Sequence, residues 1–247
     1  MSSEGLYYVY AKYTNQKATG YDYANSSYGR YLCVFRNRWE ADEFWRFMAT
    51  WQYSKGTNFF SYLNRNGPQF WQFNGTNAQD SFMSILQYAQ PQGQNIMCTR
   101  ITTYTNEAGC LALPQQATVD WTNGCAVFIR NKLNPAEYWH LDGSSIQVTN
   151  STYRTKFVIR GTNFAAGDTT VLNRSDPITI ELASNAGGSN PQYLGLVTAD
   201  ARLVTTSSPY NWSFGDFFVS FGQKTLNNDA GTAEHMVVRD QAGKAVS

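Results

Sequence analysis

Short segments with alternating apolar residues recur in the second half of the chain, and they limit the possible folds more than any single motif does. After Gly124 come CAVFIRN, EYWHL, SSIQVT and KFVIRG, and after Gly167 come DTTVLNR, QYLGL, ARLVTT and FFVSFG. Apolar residues alternate within these segments, as Val127 and Ile129 do. Because a period of two turns one face of a strand toward a core, each set predicts four short strands.

A looser third set precedes these two, with SFMSILQ, NIMCTRI and GCLALPQ ending near Trp121. Three units of about 40–60 residues, each with four short strands, describe a β-trefoil. The sequence therefore predicts an all-β protein with a β-trefoil-like core at residues 80–222. Residues 1–79 are then an N-terminal extension, and residues 223–247 a C-terminal hairpin or tail. A two-sheet β-sandwich is the alternative, because the same alternating strands suit it.

The last set of strands carries a family resemblance. From Tyr193, the sequence YLGLVTADARLVTTSSPYNWSFGDFFVSF resembles the repeat of fascin-like and other lectin-type β-trefoils. In that family a Tyr-Leu pair starts one strand, a turn with Asp or Gly and a Leu-Val strand follow, and a Trp and a Phe-x-Val/Ile strand close the unit. The resemblance covers residues 80–222, is clearest in the last two sets, and implies a carbohydrate-binding trefoil. The Gln-x-Trp signature of ricin-type trefoils is absent at the expected place.

The N-terminal extension is rich in aromatic residues and predicts strands of its own. Residues 6–13 and 30–36 are aromatic and β-branched, which favours strands. Two short runs, at 59–63 and 69–73, flank Asn-Gly-Pro and predict a hairpin.

Residues 39–51, WEADEFWRFMATW, predict the one short helix of the extension. Apolar residues recur there with helical spacing along one face: Phe44, Phe47, Met48 and Trp51. Acidic residues occupy the predicted first turn, where they favour the helix dipole: Glu40, Asp42 and Glu43. The apolar stripe is interpreted as core packing rather than as a ligand site.

Charge is sparse, which bears on the partners that the chain can bind. Charged residues make up 15% of the sequence and the net charge is +1, whereas a soluble domain is typically about a quarter charged. Nucleic-acid binding needs a concentrated basic surface, and Lys and Arg are scattered here. Neutral Asn, Gln, Ser and Thr beside many aromatic rings suit neutral polar ligands or self-association.

The beginning of the sequence, MSSEGLYYVY, lacks a basic start followed by an apolar run and so does not predict a signal peptide. No apolar stretch approaches the ~18 residues of a transmembrane helix. We therefore expect a cytoplasmic or non-classically released protein without a transmembrane segment.

The four cysteines are spaced without a CxxC pair, and the chain has only two histidines, so no metal site is predicted. The thiols are expected to be buried apolar groups. If one disulfide forms, the short polar loop between two strand-like segments favours Cys110–Cys125.

No catalytic constellation is evident, and we predict neither enzyme activity nor a cofactor. Neither His140 nor His235 lies beside a G-x-S-x-G elbow, and no P-loop, GxGxxG or HExxH occurs. A Cys125–His140 pair is conceivable. Glycoside hydrolysis by paired carboxylates stays open, although most acids of the repeat region lie in apparent turns, where they usually cap their own backbone: Glu137, Asp142, Asp168, Asp176, Glu181, Asp200 and Asp216.

Carbohydrate recognition is the function that the residues favour most. Sugars stack their CH faces on aromatic rings and direct their hydroxyls to planar polar groups. Both kinds of side chain cluster in the last two sets, and the predicted ligand-binding residues are Trp139, His140, Asp142, Asp200, Tyr210, Asn211 and Trp212. Core packing is the alternative role for Trp139 and Trp212. The alternative function is a self-assembling structural protein, with a homo-oligomer formed through residues 1–79, or a membrane-acting toxin component.

Overall fold

A computed structural model shows a mostly β-strand protein with one helix among the residues that it describes. The described residues are 5–14, 30–52, 58–75, 85–86, 88, 96–100, 114–116, 120–131, 136–150, 153–184, 189–197, 202–215 and 234–238. The predicted all-β class is confirmed. The chain divides into two compact units, residues 1–120 and 121–247, which are described in turn.

Unit 1, residues 1–120, is a five-stranded sheet with a helix against one face. Its elements are β1 (Tyr7–Tyr13), β2 (Arg30–Phe35), α1 (Arg38–Thr50), β3 (Phe60–Gly67), β4 (Phe70–Gly75) and β5 (Met97–Arg100). The strand order is β3-β4-β1-β2-β5, with β1 and β4 parallel and the other neighbours antiparallel. The predicted N-terminal strands and the β3–β4 hairpin are confirmed.

Alternation along the strands of unit 1 decides which face is buried. Every second residue of β1 is buried, and so is every second residue of β2. Phe35 of β2 lies 5.8 Å from Phe44 of α1 and 5.9 Å from Trp71 of β4, measured between ring centroids. The apolar face of the sheet therefore forms an aromatic core with the helix.

The predicted helix at 39–51 is confirmed with its ends shifted by one residue, since α1 spans Arg38–Thr50. Asn37 begins it, because its side-chain oxygen accepts a hydrogen bond from Glu40 N at 3.1 Å. Of the predicted stripe, Phe44 and Met48 are fully buried, while Phe47 and Trp51 are half-buried. The buried face is completed by Trp39, Ala41, Asp42 and Trp45.

Asp42 was predicted to lie in the first turn of the helix, but α1 begins at Arg38, so Asp42 lies beyond that turn and is completely buried. Its carboxylate accepts from Arg65 Nη2 at 2.5 Å and from Arg38 Nε at 3.3 Å. Arg65 also donates to Asp120, through Nε at 2.8 Å and Nη2 at 2.7 Å. The side chain of Arg65 is only 4% exposed and lies 5.6 Å and 5.7 Å from the ring centroids of Trp45 and Trp71.

The pKa shifts in this ion cluster reflect a balance between burial and charge. Burial lowers the pKa of Arg65, but the Asp42 and Asp120 carboxylates raise it by more, so the net shift is upward. Burial raises the pKa of Asp120 despite the opposing effect of Arg65. The guanidinium is therefore firmly charged, and its two carboxylates are what make its burial tolerable.

The division between the units falls at 120/121 rather than at the predicted 79/80. The reason lies in β5, which pairs with β2 in register Cys33↔Cys98 and so belongs to the sheet of unit 1. Segment NIMCTRI, interpreted as part of a third trefoil copy, thus contributes an edge strand to unit 1 instead. Most of the remainder of that third copy, including residues 101–113, lies outside the described residues.

Unit 2, residues 121–247, contains nine described strands linked in one sheet. They are β6 (Cys125–Asn131), β7 (Glu137–Asp142), β8 (Ser145–Asn150), β9 (Lys156–Gly161), β10 (Pro177–Leu182), β11 (Tyr193–Val197), β12 (Arg202–Thr206), β13 (Trp212–Ser213) and β14 (Glu234–Val238). Five of them form an antiparallel layer in the order β14-β6-β9-β10-β13. The other four form two hairpins, β7–β8 and β11–β12.

The pairing repeats itself within unit 2. In the first copy β6 pairs with β9 around the hairpin β7–β8, and in the second copy β10 pairs with β13 around the hairpin β11–β12. Each hairpin attaches to the first strand of its copy through one residue pair, Arg130↔Tyr138 or Glu181↔Tyr193. The two hairpins meet each other at Val204↔Ser145. The pairing scheme therefore occurs twice in unit 2, although FFVSFG, the segment predicted to close the second copy, lies outside the described residues.

The first strand of the second copy differs from the prediction. Segment DTTVLNR is a loop with one isolated bridge, Val171↔Thr122, and the strand is Pro177–Leu182. The loop is held by aspartates, since Asp168 accepts from Thr170 N at 2.9 Å and Asp176 accepts from Asn173 N at 2.6 Å. These carboxylates hydrogen-bond nearby backbone as expected of turn residues.

The C-terminal segment 223–247 was predicted to be a hairpin or tail. The part of it that is described, β14, is a strand that pairs antiparallel with β6 in register Met236↔Ile129.

A buried amide joins the two copies of unit 2. Asn123 precedes β6 and is almost fully buried. Its Oδ1 accepts from Gly161 N at 2.9 Å, at the end of the first copy, and its Nδ2 donates to Asp168 O at 3.0 Å, at the start of the second. Because the Gly161 N–H is also buried, it depends on this acceptor.

Replacing Arg65 with Gln should strongly destabilise unit 1. The change removes the cation between the two carboxylates and leaves Arg38, at 3.3 Å from Asp42 and 3.9 Å from Asp120. We expect a cost of about 3–5 kcal/mol in the free energy of unfolding. The matched control is Arg36→Gln, at an exposed position before α1, with an expected change within about 0.5 kcal/mol. Denaturant unfolding measures both, and equal stability of the two variants would contradict the ion cluster.

Asn123→Ala should destabilise unit 2 by about 1–3 kcal/mol, because it leaves the buried Gly161 N–H without an acceptor. Asn163→Ala, at an exposed position of the same unit, is the matched control and should have little effect. Thermal unfolding of both variants provides the measurement. A loss no greater in Asn123→Ala than in the control would show that the buried amide contributes nothing.

Candidate ligand-binding groove

A groove lies at the open end of the hairpin β11–β12, with a volume of about 340 Å³. That volume falls within the range of small-ligand sites. Its described lining comes from the residues before β11 and from the end of β12 onward: Ser189, Asn190, Pro191, Gln192, Thr205, Thr206 and Ser207. None of these residues carries a charge, so the described wall offers amide and hydroxyl groups.

Backbone hydrogen bonds position both walls of the groove. Leu182 N donates to Gln192 O at 2.9 Å, which ties the segment entering β11 to β10. On the other side, Thr206 Oγ1 donates to Ser208 O at 2.6 Å, which fixes the turn after β12. The register Tyr193↔Thr206 holds the two walls at a fixed separation.

An aromatic pair follows the groove wall closely in the sequence. The ring of Tyr210 lies 4.5 Å from that of Trp212, measured between centroids, and is tilted by 46°. Trp212 Nε1 donates to Leu194 O at 3.2 Å, so the indole is anchored on β11. Tyr210 remains 37% exposed. The anchored indole thus supports an accessible ring three residues beyond Ser207.

The turn of the neighbouring hairpin adjoins the same groove. Thr205, which lines the groove, donates from its backbone N to Ser144 O at 2.9 Å. Asp142 begins that turn, is exposed, and accepts from Gln147 Nε2 at 3.0 Å. Ser144 of the first copy therefore contacts a residue that lines the groove, while Asp142 lies on β7, one strand further along the sheet.

The structure brings some of the predicted ligand-binding residues together and separates others. Tyr210, the exposed Asn211 and Trp212 follow the groove wall, and Asp142 lies on the adjoining turn. Asp200 lies outside the described residues.

Two predicted ligand-binding residues of the first copy, Trp139 and His140, are not exposed to solvent in the way that Tyr210 is. Trp139 is fully buried against Phe157, with centroids 6.1 Å apart in an edge-to-face arrangement. Its ring therefore presents no face to a ligand, and core packing was the alternative role weighed for it. His140 is half-buried and its ring lies 5.8 Å from that of Tyr153.

Sequence reasoning missed the residues that line the groove. Asn190 precedes a predicted strand, while Gln192 begins and Thr206 ends the predicted strand segments QYLGL and ARLVTT, so none of the three was predicted to bind a ligand. The sequence pattern that could have indicated the groove is the run of neutral, mostly polar residues at 183–192, which directly precedes the strand β11.

The acids considered for glycoside hydrolysis have structural partners where they are described. Glu181 is buried and pairs with Arg160 Nε at 3.0 Å. Asp168 and Asp176 hydrogen-bond nearby backbone. Among the described residues no group of three or more His, Cys, Asp or Glu is arranged to hold a metal ion.

Cys125 has no disulfide partner, and Cys110, suggested for that role, lies outside the described residues. Burial raises the pKa of the Cys125 thiol to about 12. The thiol is therefore protonated at neutral pH and is a poor nucleophile.

In comparisons with known proteins, no protein-family model, no curated protein and no solved structure matches the chain. Within the described part of the chain, no helix has the length and apolar character needed to cross a bilayer.

Proposed function

We propose that the protein binds a neutral glycan in the groove at the end of β11–β12. The observations that carry this proposal are a neutral amide and hydroxyl wall and the accessible ring of Tyr210, which lies three residues along the chain from the lining residue Ser207 and contacts Trp212. Amides and hydroxyls match the hydroxyls of a sugar, and an aromatic ring matches its CH face. A charged ligand would find no counter-charge among the described lining residues.

The fold of unit 2 supports the same proposal. Unit 2 contains two copies with the same pairing, each a strand, a hairpin and a closing strand, and a β-trefoil is built from three such repeats. The resemblance of the segment from Tyr193 to lectin-type trefoils concerns the copy that carries the groove. A β-trefoil-like lectin is therefore the class of protein that we propose.

Tyr210→Ala should weaken binding to the best neutral oligosaccharide from a glycan array by about tenfold, since a stacked ring contributes on the order of 1 kcal/mol. The matched control is Tyr153→Ala, because Tyr153 is 66% exposed in the same unit and contacts His140 instead. Titration calorimetry on both variants, after a check of folding by circular dichroism, measures the effect.

Salt adds a second criterion to this test. Binding of a neutral glycan should be nearly insensitive to ionic strength, because screening acts on charges. A blank array, an equal loss in both tyrosine variants, or an affinity that falls steeply with salt would each contradict the proposal.

Self-association is the second candidate function, and exposed apolar side chains of unit 1 favour it. Phe70 and Met97 are 52% and 72% exposed, although each belongs to a strand of the sheet. Large exposed apolar side chains are typical of contact surfaces. We propose that two copies of the chain associate through this part of unit 1.

Light scattering on a size-exclusion column should then show a dimer that dissociates when Phe70 and Met97 are both changed to Gln. The unchanged chain eluting as a monomer at concentrations of tens of micromolar would exclude the proposed dimer. Leakage from phospholipid vesicles, run in parallel, tests the membrane-acting alternative: leakage caused by the unchanged chain and lost in the double variant would assign these side chains to a membrane instead.

A further inference from the structure

Two cysteines of unit 1 face each other across neighbouring strands. Cys33 of β2 and Cys98 of β5 are directly paired in the antiparallel register. Both are free thiols, and their Sγ atoms are 3.5 Å apart. This pair was not predicted from the sequence, because the two residues are 65 positions apart.

The backbone geometry at this position suits a disulfide. Directly opposed residues of antiparallel strands have Cα atoms about 4.5–5.5 Å apart, and disulfides form between Cα atoms about 4.4–6.8 Å apart. The sulfur atoms must approach from 3.5 Å to about 2.05 Å. Rotation of the two side chains is sufficient for that approach.

The two thiols differ in access. β5 is an edge strand of the described sheet, and Cys98 is only partly buried. Cys33 is completely buried on the inner strand, and burial, with the hydrogen bond to Cys98, raises its pKa well above the usual range. An oxidant therefore meets Cys98 first, and Cys33 is the second sulfur to react.

We propose that Cys33 and Cys98 form a redox site that hydrogen peroxide converts to a disulfide. The Cys98 sulfur attacks one peroxide oxygen, the O–O bond breaks, and the leaving hydroxide takes the thiol proton to become water. The Cys33 sulfur, held 3.5 Å from the Cys98 sulfur, then attacks the resulting sulfenic acid, and this proximity offsets the low nucleophilicity of a buried thiol. The S–S bond forms, the S–O bond breaks, and the second hydroxide leaves as water with the Cys33 proton.

The balance is two thiols and one peroxide giving one disulfide and two waters. The sulfurs are oxidised and the peroxide oxygens are reduced. The product ties the edge strand β5 covalently to β2 and closes a long loop, which restricts the unfolded chain more than the folded one. Oxidation therefore stabilises unit 1, independently of what the groove of unit 2 binds.

The full-length protein, treated with hydrogen peroxide and digested without reduction, provides the test by peptide mass spectrometry. The expected product is a Cys33–Cys98 linked peptide that lacks two hydrogens, with Cys125 still alkylated after unfolding. The Tm should rise by about 5–10 °C and return on reduction. In Cys98→Ala the link and the rise in Tm should both be absent.

Cys33→Ala keeps the test decisive if the linked form is hard to isolate. Without its partner, Cys98 should accumulate as a sulfenic acid that dimedone traps, whereas the unchanged protein should give little adduct. Three results would overturn the proposal: a Cys98–Cys110 link, a link between two chains, or sulfinic acid on Cys98 while Cys33 remains a thiol.

Discussion

The burial of one positive charge organises unit 1. Arg65 lies between Asp42 and Asp120, and two indoles flank its guanidinium. Burying the guanidinium without the carboxylates would cost a large desolvation free energy, and burying the carboxylates without the guanidinium would cost a similar amount. The helix, the β3–β4 hairpin and the last residue of unit 1 are therefore placed relative to one another by a requirement for neutralisation, in addition to the apolar contacts around them.

Unit 2 is instead organised by a strand-pairing scheme that occurs twice. Its two copies share a pairing scheme but differ in the side chains at equivalent positions. In the first copy Trp139 fills the core at its hairpin. In the second copy the smaller Leu194 occupies the core, and the indole of Trp212 donates to the Leu194 carbonyl. The second copy thus carries a partly exposed aromatic pair, Tyr210 and Trp212, that is close in sequence to the groove residue Ser207.

Local patterns in the sequence were enough for the strands β1 and β2, the β3–β4 hairpin and the helix α1, because turn residues and spacing specify such elements nearby. The strand β10 was not predicted, because PITIEL is buried at nearly every position and so lacks the alternation that marked the other strands. The ion pair of Asp42 with Arg65 was not predicted either, because the two residues lie 23 positions apart along the chain. Of the candidate site, the aromatic pair was predictable from composition, but the groove wall depends on the register of β11 against β12.

The position of Asn123 has a consequence for the chemical ageing of the chain. Asn-Gly sequences lose ammonia when the glycine nitrogen attacks the asparagine side-chain carbonyl, which makes such sites thermolabile. Here Gly124 N donates to Ile159 O at 2.8 Å, and the Asn123 amide is held by Gly161 and Asp168. Both reacting groups are occupied by hydrogen bonds, so deamidation at this position must wait for unit 2 to open. The hydrogen bonds of Asn123 thus join the two copies and also protect Asn123 itself from deamidation.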